Sequence, residues 1–73
     1  LAEKDGITYA IQCKCYSGPV GIDAVQQIYA GKAYYDCHVA VVLTNRYFTN
    51  HAQKLADKIG VVLWDRDTLR ELL

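Results

Sequence analysis

This chain of 73 residues has no net charge, a single proline and no long apolar run. Eight basic and eight acidic residues give a formal net charge of zero, which excludes a basic tail or a histone-like body. One proline, five glycines and a hydrophobic fraction of 52% exclude a disordered or low-complexity chain. No apolar run approaches the roughly 20 residues that a membrane-spanning helix needs. The composition therefore indicates one small globular domain.

Methionine is absent, and the three cysteines are an odd number for a disulfide scaffold. Because the chain starts at Leu1 with no methionine, we expect a piece of a longer protein, with residues 1–73 forming a single, truncated domain. Cys13 and Cys15 lie two residues apart, a spacing at which a disulfide within one strand is hard to form. We therefore expect reduced thiols and a cytoplasmic location.

Strand and helix patterns alternate along the chain and predict an α/β fold, or α+β by some definitions. Strands are predicted at residues 7–16, 38–44 and 61–64, and helices at 22–35, 49–59 and 66–72. Asp5-Gly6 is a hairpin dipeptide, so residues 1–4 are expected to be the stub of an antiparallel strand, giving the order (β)βαβαβα. Strand–helix–strand connections of this length favour parallel strands with right-handed crossovers. The predicted sheet is therefore mixed.

The first long strand divides its side chains between two faces. One face carries Ile7, Tyr9, Ile11, Cys13 and Cys15. We expect this face to be buried, and with it both thiols. In the helix that follows, the predicted core stripe contains Ile22, Val25, Tyr29 and Ala33, with Ile28 beside it.

The other strand face carries the strongest candidate for chemistry, the pair Gln12 and Lys14. The sequence has no GxGxxG loop, no Walker A loop, no HExxH and no GxSxG. Residues two apart on a strand project from one face, about 6–7 Å apart. An amide oxygen can orient a metal ion or a water, and an ammonium can polarise that water or hold a phosphate. The alternative interpretation is a solvated polar face of an edge strand.

Residues 9–16, YAIQCKCY, resemble the Q-x-K strand of the Mrr-type restriction endonucleases, which belong to the PD-(D/E)XK nuclease superfamily. The similarity continues in order through residues 18–27, 41–45, 48–56 and 60–69, and so spans nearly the whole chain. It implies a restriction-endonuclease-like, three-layer fold with helices on both faces of a mixed sheet. It also implies that the first strand and an upstream helix lie outside this sequence.

The resemblance implies a Mg²⁺-dependent endodeoxyribonuclease of restriction or defence type, with DNA as its partner. Lys14 takes the role of the lysine that helps to activate the attacking water and to stabilise the transition state. Gln12 takes the place usually held by Glu or Asp, and the backbone carbonyl of Cys13 is the implied metal ligand beside it. No residue matches the superfamily's metal-binding Asp, which we expect just upstream of Leu1. We therefore expect residues 1–73 alone to be inactive and not to retain Mg²⁺.

Three further side chains are candidates for positions near the substrate. Gln26 lies on the helix expected to cover the site, and Thr44 and Asn45 end a buried strand. The alternatives are a core-edge amide for Gln26 and loop capping for the other two. The alternative function is a non-catalytic DNA-binding or assembly module that keeps the nuclease fold. Because only a stub precedes residues 7–16, we expect the exposed edge of that strand to pair in a homodimer.

Overall fold

The computed structural model describes residues 2–14 and 17–72. The described elements are β1 (Ala2–Lys4), β2 (Ile7–Lys14), α1 (Ile22–Tyr34), β3 (Val39–Thr44), α2 (Asn50–Ile59), β4 (Val61–Trp64) and α3 (Arg66–Leu72). The order of elements predicted from the sequence is confirmed. The last part of the predicted first strand, Cys15 and Tyr16, lies outside the described residues.

The four strands form one mixed sheet in the order β1-β2-β3-β4. β1 and β2 are antiparallel, and the turn between them places Asp5 at φ 54° and Gly6 at φ 80°. Positive φ at both central residues is what a type I′ hairpin turn requires. β3 is parallel to β2 and to β4, so the predicted parallel pairing of the last two strands is confirmed.

Helices α1 and α2 contact each other and cover the same face of the sheet. The buried cluster on this face contains Ala10, Ala40, Val42 and Val61 from the strands, Ala24, Val25 and Ile28 from α1, and Ala52 and Ala56 from α2. Right-handed crossovers that add each new strand on the same side place both connecting helices on one face. The opposite face leaves Ile7, Ile11 and Val62 38–41% exposed. α1 and α2 thus supply one of the two helical layers expected from the sequence.

Two expectations about buried residues are corrected by this arrangement. Cys13 is exposed, because α1 covers the strand face that carries Ala10 and not the face that carries the thiol; the predicted burial of Cys15 lies outside the described residues. The core stripe of α1 is also shifted from the predicted one. Ile22 and Tyr29 are 39% and 46% exposed.

α2 packs through an apolar stripe, since Ala52 and Ala56 are buried and Leu55 and Ile59 pack against the core. Thr49 is its N-cap, because the Thr49 hydroxyl accepts from the Ala52 N–H at 3.1 Å. Within residues 2–14 and 17–72, no helix is long and apolar enough to cross a membrane.

Candidate active site

Lys14 and Thr44 end adjacent parallel strands and are paired in register. Thr44 is only 1% exposed. Its hydroxyl donates to the Lys14 carbonyl and accepts from the Arg46 N–H at 3.2 Å. Thr44 therefore joins the end of β2 to the loop after β3, which agrees with loop capping, and its proximity to a substrate stays a prediction.

A second set of hydrogen bonds holds the loops together at this edge of the sheet. The Val20 N–H donates to the Tyr47 carbonyl at 2.9 Å, and the Thr49 N–H donates to the Val20 carbonyl at 3.0 Å. Val20 itself is completely buried. The segment after β2 is thereby fixed against the segment after β3, and the carboxyl edge of the sheet is a defined scaffold where α/β proteins commonly bind ligands.

The Lys14 ammonium donates to the Gln27 side-chain carbonyl on α1 at 3.0 Å. Strand alternation places Lys14 and Gln12 on the face that α1 covers, and both are half-buried. Gln26, the candidate named from the sequence, is exposed at the neighbouring helix position, and its proximity to a substrate stays a prediction. Adjacent helical residues point about 100° apart, so only the packing of α1 decides which glutamine reaches Lys14.

A concavity of about 400 Å³ lies beside this pair, between β2 and α1. Its lining residues are Ala10, Ile11, Gln12, Gln27, Ile28, Gly31 and Tyr35. The two glutamines supply amide groups that donate and accept hydrogen bonds, while most of the other lining residues are apolar. Gln12 and Gln27 therefore face a common space next to the Lys14 ammonium.

The backbone carbonyl of Cys13 points away from β3. The Thr8 carbonyl accepts from the His38 N–H at 2.8 Å, and the Lys14 carbonyl accepts from Thr44, so the even-numbered residues of β2 turn their carbonyls toward β3. Carbonyls of successive strand residues alternate between the two edges. The Cys13 carbonyl therefore takes no part in the pairing of β2 with β3.

The remaining candidate, Asn45, is exposed at the end of β3. It lines a separate concavity together with Arg46, Arg66, Leu69 and Arg70. The structure thus brings Lys14, Gln12 and Gln27 together. It places Asn45 on the loop after β3. Thr44 is buried at the end of β3, between Lys14 and Arg46, to which it is hydrogen-bonded.

A family model of restriction endonucleases, Mrr_cat, matches residues 1–73. The chain belongs to this restriction endonuclease family. The family lies in the PD-(D/E)XK nuclease superfamily, so the resemblance to Mrr-type restriction endonucleases is confirmed. The observed mixed sheet is consistent with the restriction-endonuclease-like fold. A comparison with curated proteins and another with solved structures each found no match.

Restriction endonucleases of this kind are typically Mg²⁺-dependent, and Mg²⁺ prefers oxygen ligands and keeps several waters. The Gln12 amide oxygen and the Cys13 carbonyl oxygen are ligands of the type that Mg²⁺ prefers. Within the described parts of the chain, no group of three or more His, Cys, Asp or Glu side chains could hold a metal ion. Asp5 lies in the turn at the opposite end of β2, about 30 Å along the strand from Lys14. The donors that the Gln12 amide and the Cys13 carbonyl would offer a metal ion are therefore neutral.

Proposed function

We propose that this restriction endonuclease family member is the nuclease domain of a Mg²⁺-dependent endodeoxyribonuclease that hydrolyses DNA phosphodiester bonds in restriction or defence. One observation carries the proposal: the Lys14 ammonium, beside Gln12, is held by Gln27 at the carboxyl edge of the parallel strands. Family membership supports nuclease chemistry at this position.

The chemistry follows from where charge develops. Attack of water on a phosphodiester increases the negative charge on the non-bridging oxygens, and a fixed cation stabilises that charge. Lys14 supplies the cation, and its hydrogen bond to Gln27 limits the positions that the long side chain adopts. The Gln12 amide orients the attacking water by hydrogen bonding. A bound Mg²⁺, held in part by Gln12 and the Cys13 carbonyl, would supply Lewis-acid stabilisation of the same charge.

Cleavage of supercoiled plasmid by the intact protein that carries this chain tests the proposal. We expect nicked or linear DNA with Mg²⁺ and intact plasmid with EDTA. The isolated 73-residue chain is the second arm, in which we expect no cleavage. An intact protein that binds the plasmid and leaves it uncut with Mg²⁺ would contradict the nuclease proposal. That result would favour the non-catalytic DNA-binding or assembly module.

A further inference from the structure

Three arginines converge at the carboxyl edge of the sheet in a chain with no net charge. Arg46, Arg66 and Arg70, with Asn45 and Leu69, line a concavity of about 460 Å³, which we call the arginine pocket. The three arginines and Asn45 are exposed. The arginine pocket is therefore open to solvent at residues of both the loop after β3 and α3.

The spacing of Arg66 and Arg70 places both on one face of α3, because residues four apart on a helix are neighbours. Like charges at this spacing repel each other, and a ligand of opposite charge would offset that repulsion.

Hydrogen bonds connect the arginine pocket to the strand end that carries Lys14. The Arg66 N–H donates to the Arg46 carbonyl at 3.0 Å. The Arg46 N–H in turn donates to the Thr44 hydroxyl at 3.2 Å, and that hydroxyl donates to the Lys14 carbonyl. The backbone segments that hold the arginines are thus fixed relative to the candidate active site.

Two carboxylates next to the arginine pocket accept from neutral donors. Asp65 Oδ1 accepts from the Thr68 N–H at 3.0 Å and from the Thr68 hydroxyl at 3.1 Å. Asp67 Oδ1 accepts from the Tyr47 hydroxyl at 3.2 Å. These contacts hold the start of α3, which carries Arg66, in place.

We propose that the arginine pocket binds the phosphates of the DNA strand that flank the phosphodiester held at Lys14. The proposal rests on the proposed nuclease function, because it needs DNA at the same edge of the sheet. Guanidinium groups present paired N–H donors that match phosphate oxygens. Contacts of this kind fix the position and direction of the DNA and carry no sequence information.

The test compares two double variants of the intact protein that lose the same charge. Arg66→Gln with Arg70→Gln removes two arginines of the pocket. Lys54→Gln with Lys58→Gln removes two exposed lysines that are also four residues apart, on α2. Binding of a short fluorescent DNA duplex is measured by anisotropy in EDTA, from about 50 to about 300 mM NaCl. Melting temperatures are measured for both variants.

We expect the arginine variant to reduce the slope of log K against log salt by about 2, since each phosphate contact contributes about 0.9. Affinity at the lowest salt should fall by at least about tenfold, while the lysine variant should stay within about twofold of the parent protein. Arg66→Lys with Arg70→Lys keeps both charges and should retain most of the slope. If the double glutamine variant fails to fold, Arg66→Gln and Arg70→Gln are measured singly, and each should lower the slope by about 0.9.

Equal slopes and affinities for the Arg66→Gln/Arg70→Gln and Lys54→Gln/Lys58→Gln variants would overturn the proposal that the arginine pocket binds DNA phosphates. If the arginine pocket failed this test and Lys14→Ala still abolished cleavage, the nuclease proposal would stand without the pocket. A parent protein that binds DNA through the arginines and does not cut it would support the pocket and contradict the nuclease function. A parent protein with no affinity for DNA would overturn both.

Discussion

The Lys14 ammonium and the Gln27 side-chain carbonyl meet at 3.0 Å, across the boundary between strand β2 and helix α1. The two residues are 13 positions apart in the chain. Their contact therefore depends on how α1 packs on the sheet. The pair gives the candidate active site a cation whose position is restrained by the fold, which is what stabilisation of a charged transition state requires.

Replacing Gln27 by Ala should lower the rate of DNA cleavage without changing the melting temperature. The variant loses one hydrogen bond to a charged group, so we expect kcat to fall by roughly tenfold and KM to stay nearly constant. Gln26→Ala is the comparison variant, because this neighbour is also exposed on α1 and points about 100° away from Gln27. Gln27→Glu keeps an acceptor for the ammonium but adds a negative charge beside the phosphate, so it should not restore the rate. A common effect of both alanine variants would count against the positioning role.

Replacing Thr44 by Val should destabilise the protein. Valine has nearly the same shape, and it leaves the Lys14 carbonyl and the Arg46 N–H without the hydroxyl that now joins them. We expect a loss of about 1–3 kcal/mol, which thermal melting would show as a fall of several degrees. Thr44→Ser keeps the hydroxyl and should melt close to the parent protein. Equal melting of the Val variant and the parent would show that this hydroxyl is dispensable.

The sequence predicts the elements of this fold well because turn and cap signals are local. Asp5-Gly6 is a hairpin dipeptide, and Thr49 and Gly60 mark the two ends of α2. Each of these depends on one or two residues and their own backbone angles. Parallel pairing follows from connection length and handedness. None of these inferences depends on which helix packs on which face of the sheet.

The covered face of β2 could not be predicted because both of its faces contain apolar residues. Ile11 and Cys13 lie on one face and Ala10 on the other. Alternation separates the two faces and does not say which one meets a helix. In α1, small Ala24 is buried and large Tyr29 is exposed, since short side chains let the helix approach the sheet closely. The same packing brings Gln27, and not Gln26, to Lys14.

Thiol labelling tests which face of β2 is covered. Cys13 is exposed and Cys37 is 7% exposed, so we expect a maleimide to label Cys13 much faster, since a buried thiol is inert. Mass spectrometry of the labelled peptides assigns each site, and Cys13→Ser should remove that labelled site alone. Slow labelling of Cys13 in the folded protein would contradict the placement of α1.

Light scattering of the isolated 73-residue chain tests the homodimer expected through the edge of β2. Among the described residues, β1 pairs only with residues 7–9 of β2, and an unpaired strand edge is a template for another strand. We expect a dimer of this chain at high concentration. Ile11→Pro should dissociate it, because the N–H of this residue faces that edge and not β3. Ile11→Ala keeps the N–H and should leave the dimer intact. An isolated chain that stays monomeric would count against the edge contact.

Plasmid cleavage by the Lys14→Ala variant of the intact protein, in the presence of Mg²⁺, tests the central claim most directly. Loss of the ammonium should reduce the cleavage rate by at least about 10²-fold, the scale of losing one electrostatic stabiliser. DNA affinity should fall only modestly, because one phosphate contact is a small share of the total, and the melting temperature should change little. Lys54→Ala, at an exposed position on α2, should cleave at the parent rate. Equal cleavage by the folded Lys14→Ala variant and the parent protein would remove Lys14 from the mechanism and contradict the proposed active site.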